Sequence, residues 1–269
     1  MRIYNPLLGI FAYNRPSHFK RLLISLENHN INKIILFIDG PKNDKDKINQ
    51  FYISNMAKNS KLNIKIIKRK NNLGLRNSIL KGVDYLAKNS EYFTILEDDL
   101  VVYENFFLFH SENLLHHKYD HEIFGICGFQ FKNIEKNQSE LSSFKIKYFI
   151  PWGWSSWSNK WKKFRKYNFD KIVIPEYINT KNKLKKENYW SLDVINYSKK
   201  NNQFFIYPTV SLLKNIGFDG SGVNSKVSKS FIMSEKKINK QNKKNLIKID
   251  KEIDKKFYIN LRKYADLFY

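Results

Sequence analysis

Three acids stand side by side in "FTILEDDLVVYENFF", residues 93–107. Glu97, Asp98 and Asp99 repel one another, and an apolar run leads directly into them. A divalent cation answers that repulsion. Magnesium and manganese take carboxylate, water and phosphate oxygens, so a metal held by one or two carboxylates and a diphosphate neutralises both sides. The plainer alternative is a solvated acidic turn at the start of a helix, whose positive end favours acids.

Other polar residues follow apolar runs in the same way. Tyr13-Asn14-Arg15 comes after "LLGIFA", and Asp39-Gly40 comes after "KIILFI". Arg15 and Arg76 are candidates for phosphate oxygens, which a guanidinium grips in bidentate fashion. Asp39 is placed to accept a hydrogen bond from a nucleobase N–H, or simply to shape the "DGP" turn. "NNLGLRNS" resembles a loop that approaches phosphate, but it rests on Gly74 alone. No Walker-type or GxGxxG loop is present.

The elements that must position these groups can be read from apolar runs and turn residues. Strands are predicted over "LLGIFAY", "KIILFID", "LNIKIIK", "YFTIL" and "IFGICGF". Helices are predicted from Pro16 to about Asn28, Lys45 to Asn59, Leu75 to Ala87 and Glu104 to His117. Phe19, Leu22, Leu23 and Leu26 share one face of the first. Regular alternation of strand and helix implies parallel pairing with right-handed crossovers. Continuous apolar strands suit a sheet covered on both faces. The expected fold class is an α/β, Rossmann-like αβα sandwich with a mainly parallel central sheet. In such a sheet ligands bind beyond the carboxyl ends of the strands, so the acids, Arg15 and Asp39 should meet on one rim.

Residues 1–130 read as the nucleotide-binding half and 131–228 as the acceptor-binding and catalytic half of the same domain. Residues 229–269 read as a basic helical tail. The second half is aromatic and turn-rich, with a helix expected over about Asn188 to Lys200 and a strand at "FFIYP". In "PWGWSSW", Trp152, Gly153, Trp154 and Trp157 are candidates for an acceptor-sugar platform, core packing being the alternative. "GFDGSG" has the glycines of a loop that could close over a donor. His116, His117 and His121 read as a solvated helix end rather than metal ligands, since adjacent histidines cannot share one helix face.

The chain carries 48 Lys and Arg against 25 Asp and Glu, a formal charge of +23. That favours anionic partners, although Lys, Asn and Ile are enriched together, as an AT-rich genome would produce. The only cysteine, Cys127, excludes an internal disulfide and fits a buried position. The N-terminus lacks a signal-peptide layout, and no segment approaches the roughly 20 apolar residues of a membrane helix. A cytoplasmic protein, peripheral at most on the inner face of the membrane, is expected. The basic stretch from Lys226 to Lys263 is a candidate for contact with anionic lipid.

Taken in order, "FAYNRPSHFKRLLISL", "LFIDGPK", "NNLGLRNSILKGVDYL" and "FTILEDDLVVYENFF" resemble GT-A fold glycosyltransferases that use nucleotide sugars. The acidic triplet in place of DxD resembles the N-acetylglucosaminyltransferase I family. "PWGWSSWSNKW" and "FFIYPTVSLLKNIGFDGSG" resemble bacterial enzymes that assemble lipopolysaccharide, capsule or other surface glycans. The resemblance implies an inverting transfer from a UDP-sugar to a glycan or lipid-linked glycan hydroxyl, dependent on Mn2+ or Mg2+. It implies that Asp99 ligates the metal, that Glu97 and Asp98 hold ribose and metal-bound water, and that Asp39 reads uracil. Ala12, Tyr13, Asn14 and Arg15 would line the nucleotide pocket. Asn71 and Asn72 stand where the family has a polar ring. The general base would be Asp193 in "NYWSLDV", with Glu187 as competitor, because Asp193 falls slightly late after Trp190. A metal-dependent nucleotidyltransferase would be expected to carry a Gly-rich basic loop after strand one, which "YNRPSHFK" lacks. A nucleic-acid-binding module leaves the acids unexplained, since they repel phosphate when no cation accompanies them; no nucleic acid partner is expected.

Overall fold

The apolar runs become the strands they predict, and each ends where polar residues begin. The computed structural model describes residues 6–132, 134, 141–168, 175–176, 190–220, 241–246 and 251–268. Strands β1 (Leu7–Ala12), β2 (Ile34–Ile38), β3 (Ile64–Lys68) and β4 (Tyr92–Glu97) pair in parallel in the order β4-β1-β2-β3. Helix α1 (Pro16–Leu26) crosses from β1 to β2, and α2 (Asp44–Lys58) from β2 to β3. Pro16 opens α1 with its preset backbone angle. The side chain of Asn43 caps α2 by accepting from the amide of Asp46.

Two successive right-handed crossovers in one direction put α1 and α2 together on one face. The chain then reverses. Helix α3 (Gly74–Asn89) carries it to β4 on the other side of β1 and therefore covers the opposite face. The gap between β1 and β4 is thus the switch point of the sheet, where ligands of open α/β folds bind.

Beyond β4 come the short β5 (Leu100–Val102), α4 (Phe106–His116), β6 (Ile123–Cys127), β7 (Leu141–Ile146), β8 (Trp154–Trp157) and α5 (Ser158–Arg165). Helix α6 (Trp190–Lys200), β9 (Phe204–Pro208), β10 (Leu213–Asn215), β11 (Gln241–Leu246) and α7 (Lys251–Phe268) complete the described elements. The full sheet runs β11-β7-β9-β6-β8-β4-β1-β2-β3, with β5 and β10 as a separate antiparallel pair. Strand β8 is antiparallel to both neighbours and lies between β4 and β6.

That placement corrects the acceptor-platform expectation. Trp154 is 0% and Trp157 2% exposed. Trp154 packs among Phe93, Phe149, Trp161 and Trp190, and the Trp157 indole donates to the carbonyl of Leu114. Neither offers a ring face to a sugar, because β8 is sheet interior on both sides. Trp152 is also buried, against Phe129 and Phe218, and Gly153 turns with φ +57° against Leu213 and Phe106. The C-terminal helix is likewise no free tail. Ile253, Phe257 and Leu261 are buried, and the Phe257 ring meets Phe131, Tyr148 and Tyr207. His117 is buried against Asp120 rather than solvated, and burial lowers its pKa.

Candidate active site

The sheet brings the three predicted strand ends to one rim. The Asp98 amide donates to Phe11 O and the Asp39 amide to Ala12 O, so the exits of β4 and β2 are both tied to β1. The Tyr13 amide in turn donates to the Asp98 carboxylate at 3.2 Å. Ala12 itself is buried at the base of this rim.

Arg15, at the N-terminal edge of α1, supplies the positive charge that the triplet demands. Its Nη2 lies 2.5 Å from Asp98 Oδ1 and 2.9 Å from Asp99 Oδ2. Burial alone would lower the Arg15 pKa, but Asp98 and Asp99 outweigh it and hold the guanidinium charged. Burial raises the pKa of Asp98 against the pull of Arg15. Burial, reinforced by Asp99 and Asp98 and opposed by Arg15, pushes the Glu97 pKa up to about 8.

Asp39 is buried, and both its oxygens accept from the Leu73 amide, at 3.0 and 3.2 Å. Asn72 donates to Gly40 O at 2.7 Å and accepts from the Gly74 amide. Gly40 is required here, since a Cβ would stand 2.1 Å from the Asn71 carbonyl carbon. The "DGP" turn and the "NNLG" loop are therefore one packed unit. Arg76, in the first turn of α3, pairs with Asp193 in the first turn of α6. Asp193 is buried; desolvation raises its pKa and Arg76 holds it down. Arg76 is thus engaged with the candidate base rather than presented to phosphates. Glu187 lies outside the described residues.

Sequence reasoning missed Asp46 and Gln50, and marked the segment after β10 only by its glycines. Asp46, in α2, accepts from the Tyr13 hydroxyl at 2.5 Å, the Asn14 amide at 2.7 Å and the Lys42 amide. Gln50 donates to Asp39 O. Gly217 follows β10 and lies on the acidic corner, where a Cβ would stand 2.2 Å from Asp99 Oδ2. Next to it, Asp219 reaches His18 at 3.1 Å and Phe218 packs on Trp152. The glycine-rich segment singled out in the sequence therefore sits over the acids; its residues from 221 on lie outside the described set. Only the glycines signalled this. Asp46 reads in the sequence as an ordinary acid in the first turn of a helix.

The donors at this corner are hard carboxylate oxygens of the kind a divalent cation takes. Arg15 holds Asp99 Oδ2 at 2.9 Å and the backbone of Gly217 packs against the same oxygen, so a cation would take the place of the guanidinium there. Among the described residues no three His, Cys, Asp or Glu form a self-sufficient metal cage. A cation here would need further oxygens from a bound phosphate.

The family model for glycosyl transferase family 2 matches residues 8–192, which contain the ends of β1, β2 and β4 with Arg15, Asp39 and the acidic triplet. The chain belongs to glycosyl transferase family 2. The mostly parallel α/β sandwich is accordingly the GT-A fold, and the family 2 chain is a glycosyltransferase with a nucleotide-sugar donor and an acceptor. No curated protein matches it significantly. Among solved structures it is similar to UDP-glucose pyrophosphorylase complexed with UDP-glucose, at 10% identity and a TM-score of 0.43, covering 79% of this chain and 92% of that one. The 4-diphosphocytidyl-2C-methyl-D-erythritol synthase of Anaerococcus prevotii DSM 20548 also aligns at 10% identity and 0.43, over 97% and 96%. Glucosyl-3-phosphoglycerate synthase of Mycobacterium tuberculosis, in complex with phosphoglyceric acid, aligns at 9% and 0.35, over 58% and 57%. These are loose likenesses of layering. Among the described residues no helix is long and apolar enough to cross a membrane.

Proposed function

We propose that this family 2 enzyme is an inverting, cation-dependent transferase that moves a hexosyl or N-acetylhexosaminyl group from a UDP-sugar to a hydroxyl of a glycan acceptor. The acceptor class proposed is a bacterial surface glycan such as lipopolysaccharide or capsule. The observation that supports the reading is the Arg15 contact with Asp98 and Asp99 at the switch point of the sheet, with the exits of β2 and β4 both tied to β1.

The resemblance to N-acetylglucosaminyltransferase I suggests the roles. Asp99 would hold Mn2+ or Mg2+ together with the donor diphosphate, and the cation would neutralise charge that grows on the leaving group. Glu97 and Asp98 would meet ribose and metal-bound water. Asp39 keeps lone pairs beyond the Leu73 amide and would accept the uracil N–H. Tyr13 and Asn14 are held rigid by Asp46 and would wall the nucleotide site. Asp193 would take the acceptor proton while the anomeric carbon gains the acceptor oxygen and loses the diphosphate oxygen. A positioned base of this kind contributes about a hundredfold to ten-thousandfold. The segment 216–220 would exclude water from the donor and so limit hydrolysis. In this reading residues 1–130 serve the nucleotide and 131–228 the acceptor.

Calorimetry with UDP, GDP, CDP and dTDP, each with and without Mn2+, tests the donor side. UDP should bind, only weakly when Mn2+ is absent, and Asp99→Asn should abolish the gain from Mn2+. Cation-independent binding, or a product that retains the donor's anomeric configuration, would overturn the reading.

A further inference from the structure

Helix α2 is built the wrong way round for a helix whose only task is to cover a sheet. Its buried residues are Asp46, Gln50, Ile53 and Ala57, two of them polar. Its largest apolar side chains point outward: Ile48 is 55%, Phe51 59% and Tyr52 55% exposed. They stand at i, i+3 and i+4, which is one continuous stripe. Single exposed apolar residues are ordinary, but a contiguous set marks an interaction surface. Helix α1 packs beside α2 in the same layer and adds exposed Ile24. Exposed Lys20 and Arg21 stand on α1 and exposed Lys45 and Lys58 on α2, with the exposed acid Glu27 at the C-cap of α1. The exposed acid Asp44 is already neutralised by Lys47 at 2.8 Å.

We propose that this outer α1–α2 face is a docking surface for an anionic lipid bilayer. Phe and Ile beside Lys on one helix face is the composition that lies in the headgroup boundary, with apolar tips among the acyl chains and ammonium groups at the phosphates. Charge decides between occupants. A second copy would bring the same lysines into apposition, and the whole chain is already at +23. An anionic membrane instead attracts each lysine near it. This surface is separate from the C-terminal helix, whose apolar side is taken up by the core. The inference does not depend on the donor or mechanism proposed above.

Flotation of the full chain with phosphatidylcholine vesicles, with and without phosphatidylglycerol, tests it. Binding is expected only to the anionic vesicles and should fall as salt rises. The triple variant Ile48→Ser, Phe51→Ser, Tyr52→Ser should bind about tenfold more weakly, the equivalent of ~1.4 kcal/mol, and Lys45→Glu with Lys58→Glu should do the same. The substituted side chains are all exposed, and unchanged melting would verify that the variants fold. Lys255→Glu with Lys256→Glu, on α7, should leave binding within about twofold, consistent with additivity of distant sites. The proposal is overturned if the chain ignores anionic vesicles or binds neutral ones equally. It is also overturned if the triple variant floats like the parent, or if sedimentation shows a dimer that the triple variant breaks.

Discussion

A carboxylate held by arginine is kept ionised, and an ionised carboxylate is what a base must be before it accepts a proton. Asp193 has both influences on it: burial raises its pKa and Arg76 lowers it. Removing the Arg76 guanidinium leaves burial opposed only by the weaker pull of Arg165, so the pKa rises further. If Asp193 is the base, kcat/KM should fall on the acid side as Asp193 protonates, and Arg76→Gln should move that fall to higher pH. Arg76→Lys should move it part of the way back. Asp193→Asn should lower kcat by about a hundredfold to ten-thousandfold with a smaller effect on KM. A pH profile unmoved by Arg76→Gln would take the base role away from Asp193. At this scale the sequence was half legible. Acids at strand ends announced themselves because the fold class dictates where strand ends go. The Arg76–Asp193 and Asp46–Tyr13 pairs did not, since each joins distant stretches of chain that only the folded sheet brings together.

Elements that are buried evenly were the easiest and the hardest to read. Strands β1, β2, β4 and β6 are continuous apolar runs, and the helices after β1 and β2 follow at the expected spacing. Strand β8 is just as buried, yet "WSSW" has serines where a core strand would carry aliphatics. Their hydroxyls are satisfied internally. Ser155 lies 2.7 Å from both Thr94 and His110, and Ser156 donates to Phe124 O. Those hydrogen bonds make the serines tolerable and the packed tryptophan rings fill the space around them; no local pattern discloses either. Replacing Trp154 with Ala should therefore cost about 3–5 kcal/mol of stability in chemical denaturation, as for other buried aromatics. A surface sugar platform would lose no more than about 0.5 kcal/mol, so a small value would return Trp154 to the surface.

For the molecule as a whole, the expected halves share one sheet. The acid-bearing β4 has β1 on one side and β8 on the other, and β8 lies beyond residue 150. A fragment of residues 1–130 would leave the β4 edge unpaired and the Trp154 site unfilled. It should be aggregation-prone or bind anilinonaphthalene sulfonate with no near-ultraviolet dichroism, whereas the full chain should unfold in one cooperative step. A monomeric 1–130 fragment with sharp cooperative unfolding would contradict this. The same insertion sets a timetable for biosynthesis. The strand carrying Glu97 leaves the ribosome well before the strand that will flank it, at roughly 5–20 residues per second. For those seconds the edge of the future catalytic rim stays unpaired, open to a chaperone or to a neighbouring nascent chain.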